Sequence, residues 1–249
     1  MTLKKYVTFS FDDGLEQDKR IIEILKQYDL KATFNLNSGL FGKRGRIGRI
    51  GDYGIADLPE KENLLSHLLK SCPSNRIPAD ELSQVYEGFE IAGHGYQHDN
   101  LKNIHGADFD TAVGKDLALL EQTFGRKIQG YAYAKGGHSE EAEKYLIKHG
   151  ILYARMVETT GSFEFPENPL QFKATAWLIE KQLPKLVEKF QQAEPTEHDL
   201  LLSFWGHGYE FDFGTENCNW TRFEKLCEQL ARLENVIFCT NEEAFLSKH

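Results

Sequence analysis

Residues 6–14 are Tyr-Val-Thr-Phe-Ser-Phe-Asp-Asp-Gly, an apolar run that ends in two adjacent carboxylates and a glycine. Its β-branched and aromatic residues predict a strand over residues 6–11. Successive side chains of a strand point to opposite faces, so Asp12 and Asp13 can serve one site only if the chain turns there. Gly14 favours such a turn. An ordinary Asp-Gly surface turn explains these residues equally well.

A second candidate motif, His94-Gly95-Tyr96-Gln97-His98, follows a strand predicted at residues 89–92. Two histidines four residues apart would meet on one face of a helix, and neutral imidazoles suit zinc or a similar divalent metal. Surface helices carry such pairs by chance, so the position after a strand is what favours a metal site. A cation would bind one of the two close carboxylates at positions 12 and 13 and leave the other ionised as a base.

A third apolar strand, predicted at residues 200–204, leads into Trp205-Gly206-His207-Gly208. Because imidazole titrates near working pH, His207 fits a catalytic acid, although an ordinary loop histidine gives the same pattern. Glu210 and Asp212 follow closely and could orient His207 or bind hydroxyl groups, although a structural role in an aromatic loop explains them equally well. Three separate strands thus end in Asp or His, which is the layout of a metal site at the carboxyl edge of a parallel barrel.

Strand and helix patterns alternate along the chain. Seven short apolar runs predict strands at residues 6–11, 32–36, 89–92, 128–133, 151–155, 200–204 and 236–239. Helical periodicity fills most of the intervals, with Gly125 and Gly150 placed to end helices and Ser139 placed to cap one. This repetition predicts an α/β fold with a parallel sheet, either open or closed into a barrel.

Residues 41–87 break the alternation, because they are rich in glycine and charge and contain one convincing helix, around residues 60–70. We interpret them as a long insertion after the second strand, without a domain of its own. In parallel α/β folds the loops after the strands carry the chemistry, so this insertion would form a wall or lid of the site.

The composition and net charge of the chain argue against several classes of function. The 249 residues, 41% of them hydrophobic, suffice for one domain over residues 1–249. A net charge of −9 argues against nucleic acid or an anionic membrane as partner. No apolar stretch approaches a membrane span and no signal peptide is recognisable, so we expect a cytoplasmic protein. The four cysteines lack C-x-x-C spacing and are expected to be buried or incidental thiols.

The motifs together resemble a known family. Phe-Ser-Phe-Asp-Asp-Gly at residues 9–14 and His-Gly-Tyr-Gln-His at residues 94–98 are similar to the first two motifs of the polysaccharide deacetylases, carbohydrate esterase family 4, which share the nodulation-protein deacetylase homology domain. Ala32-Thr33-Phe34 and the late strand before His207 extend the resemblance over nearly the whole chain.

The resemblance implies a distorted (β/α)₇ barrel and a hydrolase that removes the acetyl group of an N-acetylated sugar or oligosaccharide. It implies that Asp12 is the base, that His207 is the acid, and that the metal ligands are Asp13, His94 and His98. The cofactor would be a divalent metal, and zinc is the preferred candidate. Cobalt, manganese and nickel are alternatives, because mixed oxygen and nitrogen ligands also accept them.

One motif of the family is incomplete here. The third motif, an Arg, Pro and Tyr sequence after a strand, should fall at residues 130–137, which are Gly-Tyr-Ala-Tyr-Ala-Lys-Gly-Gly. In the family that Arg orients the base, and Ala132 cannot do so. We hypothesise that Arg155, at the end of the next predicted strand, pairs with Asp12, although a surface arginine gives the same sequence. A backbone amide near Lys135 could still contact an oxyanion.

Substrate contacts are the least specific part of the prediction. Lys135 and Asn37 are candidate contacts, and Trp205 and Tyr209 could stack on a sugar, although aromatic residues usually belong to the core. One alternative is hydrolysis of a non-sugar amide or an O-acetyl ester on the same scaffold. Another is a catalytically silent carbohydrate-binding protein. Nothing in the sequence predicts an oligomeric state.

Overall fold

The computed structural model describes residues 3–50, 54–57 and 71–246. These residues form two sheets, a main sheet of nine strands and a small one of three. In chain order the strands are β1 (Lys5–Asp12), β2 (Thr33–Leu36), β3 (Arg46–Ile50), β4 (Gly54–Asp57), β5 (Ser71–Pro73), β6 (Glu90–Gly93), β7 (Gly130–Ala132), β8 (Tyr153–Thr159), β9 (Phe172–Ala174), β10 (Ala176–Trp177), β11 (Leu200–Gly206) and β12 (Ile237–Phe238).

The main sheet is parallel and nearly closed into a barrel of eight strands. Their order is β10, β11, β1, β2, β6, β7, β8 and β9, and β12 pairs with the beginning of β1. Thr175, between β9 and β10, donates its amide hydrogen to Ser203 Oγ at 2.9 Å and its hydroxyl to the Leu201 carbonyl at 3.2 Å. The predicted α/β fold, the distorted barrel that the family resemblance implies, is therefore confirmed.

All seven predicted strands are present, as β1, β2, β6, β7, β8, β11 and β12. The prediction missed β9 and β10, which span Phe172–Ala174 and Ala176–Trp177 and are too short to display an alternating pattern. It also ended β8 too early, since this strand continues past Arg155 to Thr159.

Helices connect most of the parallel strands. Gly125 ends one of them in the left-handed conformation, with φ of 65°. Ser139 caps another by accepting a hydrogen bond from the Ala142 amide at 3.1 Å. The predicted helix-ending glycine and the predicted N-terminal serine cap are therefore confirmed. The α-helices of the described residues are α1 (Asp18–Gln27), α2 (Leu82–Val85), α3 (Lys115–Phe124), α4 (Glu140–Lys148), α5 (Leu183–Gln192), α6 (Gly208–Asp212), α7 (Trp220–Ala231) and α8 (Asn241–Leu246).

The insertion after β2 contains the small antiparallel sheet, with the order β4, β3, β5. The helix predicted around residues 60–70 lies outside the described residues. After β5 the chain folds back along the first motif, where Arg76 forms an isolated antiparallel bridge with Leu15. The Ile77 amide donates to the Gly14 carbonyl at 3.0 Å. The insertion therefore contacts the segment that follows the two carboxylates.

Strand β1 separates the outer core from the barrel interior, and all of its residues are buried, as in other central strands of parallel sheets. Phe9 and Phe11 face α7, with ring centroids 6.0 and 5.9 Å from that of Phe223. Ser10 and Asp12 contact Arg155 inside the barrel. The alternation of a strand thus places Asp12 at the carboxyl end of the interior.

The four cysteines are free and buried, as expected. Within the part of the chain that the structure describes, no helix combines the length and the apolar character that a membrane crossing requires.

Candidate active site

The two adjacent carboxylates reach one site because the backbone turns between them. Asp13 has φ of 84° and Gly14 has φ of 66°. A positive φ is uncommon for a residue other than glycine and often occurs at functional sites. Asp12 Oδ2 lies 3.8 Å from His94 Nε2 and 3.9 Å from His207 Nε2, while Asp13 Oδ1 lies 3.8 Å from His98 Nε2. The three sequence motifs therefore meet at the carboxyl edge of the barrel.

Arg155 contacts Asp12 with the same guanidinium nitrogen at both carboxylate oxygens. The Nη2–Oδ1 distance is 2.6 Å and the Nη2–Oδ2 distance is 2.5 Å, and Asn35 Nδ2 donates to Oδ1 at 2.7 Å. Burial by itself would raise the pKa of Asp12, but the charge of Arg155 and its hydrogen bonds hold this pKa below its usual value. Asp12 is therefore an ionised carboxylate at neutral pH.

The His94 and His98 pair is not helical, which corrects the helix-face interpretation. Both residues lie in a loop after β6, and His98 has φ of 57°. Asp116 of α3 accepts from the amides of His94 at 3.2 Å and Gly95 at 2.9 Å. Asn37 Nδ2 donates to the carbonyls of the same two residues, at 2.7 and 2.9 Å. Asn37 therefore supports the loop that carries the two histidines, and its contact with substrate stays a prediction.

The ring of His94 has one nitrogen bonded and one free. Nδ1 lies 2.8 Å from the Ala132 carbonyl, and Nε2 is buried without a hydrogen-bond partner among the described residues. A carbonyl can only accept, so Nδ1 carries the proton and Nε2 presents a lone pair. Burial is the main cause that lowers the pKa of His94, and it also lowers the pKa of His98, to about 4. Both imidazoles are therefore neutral at pH 7.

Asp13, His94 and His98 form a group whose ligand atoms lie within 4.8 Å of one another. One carboxylate and two neutral imidazoles are a donor set that divalent metals accept, and three protein ligands leave coordination positions open. The unpartnered His94 Nε2 has the lone pair that a metal requires, and its bonded Nδ1 fixes the ring as in many metal sites. The residues present thus fit a metal.

His207 is held by an acidic partner that it shares with a tryptophan. Its Nδ1 lies 2.9 Å from Glu210 Oε1, and Trp177 Nε1 donates to the same oxygen at 2.9 Å. Burial opposes the charged imidazolium, but the hydrogen bond and charge of Glu210, followed by Asp12 and Asp13, raise the pKa of His207 to about 9. His207 is therefore protonated at neutral pH, with Nε2 toward Asp12.

The other three residues predicted to contact substrate, Trp205, Tyr209 and Lys135, differ in exposure. Trp205 is 5% exposed and packs between neighbours, with Trp177 stacked on it at 4.9 Å and the Arg155 guanidinium 4.6 Å from its centroid. Tyr209 is 4% exposed and stacks on His207. Lys135 is exposed, in the turn Ala134–Gly136. The two rings form part of the wall of the site, and contact of any of the three with substrate stays a prediction.

Sequence reasoning missed several side chains that support the site. Arg76 Nη2 donates to Asp13 Oδ1 at 3.0 Å and comes from the insertion, where no pattern marks it. Asp116 resembles any acidic residue of an amphipathic helix until its four hydrogen bonds to residues 38, 94 and 95 are visible. Asn35 is one residue of an otherwise apolar strand end, and its polarity was the one available signal.

The fold is a nearly closed parallel barrel. An Asp and two His that could hold a metal lie at its carboxyl edge, beside a second Asp and a third His. The chain belongs to the polysaccharide deacetylase family, because the sequence profile of that family matches residues 1–154 of its 249 residues. A search of curated protein sequences finds no significant match.

Solved structures of the same family share the fold. A peptidoglycan N-acetylglucosamine deacetylase is 16% identical with a TM-score of 0.59, and the alignment covers 98% of this chain and 89% of that one. The esterase domain of a multidomain xylanase from the hindgut metagenome of Trinervitermes trinervoides is 15% identical with a TM-score of 0.52, over 98% and 91%. A family 4 pseudoenzyme from Bacillus anthracis is 18% identical with a TM-score of 0.53, over 95% and 63%.

The alignments cover only part of some matched chains. The alignment covers 55% of a Streptococcus pyogenes deacetylase chain and 60% of this chain. At these identities the likeness concerns the fold, and the group of neighbours includes both deacetylases and a pseudoenzyme.

Proposed function

We propose that this protein is a metal-dependent hydrolase that removes the acetyl group from an N-acetylated sugar or oligosaccharide. The observation that carries the proposal is the convergence of three kinds of group. A possible metal-ligand set of Asp13, His94 and His98, an ionised carboxylate at Asp12 and a protonated imidazole at His207 lie at one edge of the barrel. Amide hydrolysis needs such a combination, because a water must lose a proton and a leaving amine must gain one.

The metal-ligand role falls to Asp13, His94 and His98. A bound divalent ion, with zinc first and cobalt, manganese or nickel as alternatives, would supply Lewis acidity toward water and the acetyl carbonyl.

Asp12 is the proposed base. Its Oδ2 lies 3.8 Å from His94 Nε2 and 3.9 Å from His207 Nε2, so a water beside the proposed ligands would be within its reach. Arg155 holds the carboxylate by both oxygens. We propose that this arginine supplies the orientation that the incomplete third motif lacks.

His207 is the proposed acid. It enters the reaction protonated and donates the Nε2 proton to the leaving nitrogen, so that acetate and amine separate. Glu210 stabilises the imidazolium before the transfer and fixes the direction of the ring. A backbone amide near Lys135 is the proposed partner of the oxyanion, and Lys135, Trp205 and Tyr209 remain the proposed substrate contacts.

The carbohydrate substrate rests on the family, and the site chemistry does not distinguish it from a non-sugar amide or an O-acetyl ester. A silent carbohydrate-binding protein would have no need of a base, an acid and a ligand set together, which favours catalysis. The cytoplasmic location expected from the sequence stays a prediction.

The test is acetate release from N-acetylglucosamine oligomers and simple acetylated sugars, with protein that has been stripped of metal and then resupplied with zinc, cobalt or manganese. Asp12→Asn removes the proposed base. The matched control is Asp199→Asn, at a partly buried aspartate that accepts from the Lys4 amide. We expect metal-dependent release that Asp12→Asn abolishes and Asp199→Asn retains.

Two other results would redirect the assignment. If acetate were released only from non-sugar amides or acetyl esters, the proposed catalytic residues would stand and the proposed substrate class would be wrong. Glycan binding without release from any member of the panel, with metal bound, would replace the enzyme by a binding protein.

A further inference from the structure

Each of the two adjacent carboxylates has an arginine of its own. Asp12 pairs with Arg155 of the barrel strand β8, and Asp13 pairs with Arg76, which belongs to the insertion. The side chains of Arg76 and Asp13 are 14% and 8% exposed, so water screens this pair only weakly. The two negative charges are therefore balanced by two guanidinium groups before any metal binds.

The backbone fixes Arg76 from both sides. Its amide donates to the Lys43 carbonyl at 2.9 Å, and the residue is bridged to Leu15. The amide of Glu16 donates to the Asn75 carbonyl at 2.8 Å, which extends this pairing along the first motif. The guanidinium thus belongs to a braced segment rather than to a free surface side chain.

Arg76 and the candidate ligands share one oxygen. Asp13 Oδ1 accepts from Arg76 Nη2 at 3.0 Å and lies 3.8 Å from His98 Nε2. A cation bound by Asp13 and His98 would therefore compete with the guanidinium for the negative charge of the same carboxylate, and the two positive charges would repel each other.

We propose that Arg76 is a positioning residue that sets the metal affinity of the site, an inference that rests on the proposed metal-ligand role of Asp13, His94 and His98. It holds Asp13 in place and compensates its charge, so the site binds a dication more weakly than its ligands alone would. Loss of the positive charge at position 76 is expected to tighten metal binding by on the order of 10-fold or more.

The measurement is the dissociation constant of Zn²⁺, from competition with a chromogenic chelator at fixed pH and salt. Arg76→Gln removes the charge and keeps a donor for Asp13, and Arg76→Met removes both. Two neutral variants are used because one of them could misfold, which circular dichroism would reveal. Arg76→Lys retains the charge. Arg126→Met is the matched control, since Arg126 donates to the Phe89 carbonyl at the opposite end of β6.

The expected result is tighter Zn²⁺ binding by Arg76→Gln and Arg76→Met, with Arg76→Lys and Arg126→Met close to wild type. Unchanged or weaker binding in both folded neutral variants would overturn the inference, because Arg76 would then only orient Asp13. Equal tightening in Arg76→Lys would also overturn it, since charge would not be the cause. If the wild-type protein bound Zn²⁺ no more tightly than His94→Ala, the proposed metal site itself would be refuted, and the inference about Arg76 would fail with it.

Discussion

Replacement of Arg155 by methionine tests whether this arginine has taken over the orientation of the base. The pair of Arg155 and Asp12 is almost completely enclosed, with side chains 0% and 3% exposed. Removal of one partner leaves an uncompensated buried charge, which costs about 3–5 kcal/mol of stability in comparable pairs. The contact of Arg155 with the Trp205 ring is lost as well. We therefore expect the free energy of unfolding to fall by roughly 3–5 kcal/mol.

Turnover should fall together with stability. Asp12 would keep its bond to Asn35 Nδ2 but lose both contacts to Arg155. Misplacement of a catalytic group by about 1 Å can reduce a rate by about 100-fold, and we expect a loss of at least this order in kcat. Arg155→Lys, which keeps the charge but not the planar guanidinium, should give an intermediate rate.

The assay combines urea unfolding at pH 7 with acetate release, in a double-mutant cycle of Arg155→Met and Asp12→Asn. The double variant should lose less stability than the sum of the single variants, because the two groups interact directly. Additive losses would show that the buried pair is not coupled. Wild-type turnover in a folded Arg155→Met or Arg155→Ala protein would refute the proposed role in catalysis.

Two further predictions concern pH. Glu210→Gln removes the charge that keeps the pKa of His207 near 9, so the alkaline limb of kcat/KM should move to lower pH; an unmoved limb would separate His207 from that limb. Because the pKa of His207 lies above the ordinary 6.5, the contribution of its protonated form to the free energy of unfolding is complete below about pH 6.5. This contribution is lost as pH rises through about 9. Burial raises the pKa of Asp18 from 3.8 to about 8, so the folded protein binds that proton more tightly and loses stability as pH rises between these values. The asparagine of Asp18→Asn can still accept from Leu15 and Tyr86, and the thermal midpoint of this variant should change less with pH between pH 5 and pH 8 than that of the wild type. The same pH dependence as in the wild type would refute this prediction.

The barrel and the meeting of the three motifs could be predicted because both follow from strand direction. Asp12, His94 and His207 each lie at or just beyond the carboxyl end of a predicted strand, and the carboxyl ends of parallel strands share one edge. The local backbone conformation of the proposed metal ligands could not be predicted. His98 reaches the site through a loop with φ of 57°, although spacing alone favoured a helix.

The contacts that support the site residues could not be predicted from the sequence for a different reason. Arg76 reaches Asp13 only because the end of the insertion pairs with residues that follow the first motif. Such pairing is set by tertiary structure and leaves no periodic signal. Glu210 was recognised as a neighbour of His207, but its hydrogen bond from Trp177 depends on β10, a strand of two residues that no pattern marks.

The incomplete third motif has a geometric explanation. In the register of β7 and β8, Ala132 and Arg155 are direct neighbours, so a long side chain from either position starts at the same height in the barrel. If Asp12 is the base, as proposed, what it requires is a guanidinium at its carboxylate, and the chain position that supplies this group is secondary. Arg155 meets this requirement from the adjacent strand, while the Ala132 carbonyl holds His94 Nδ1. An absent motif residue is therefore weak support for a silent protein when a neighbouring strand delivers the same group to the same atoms.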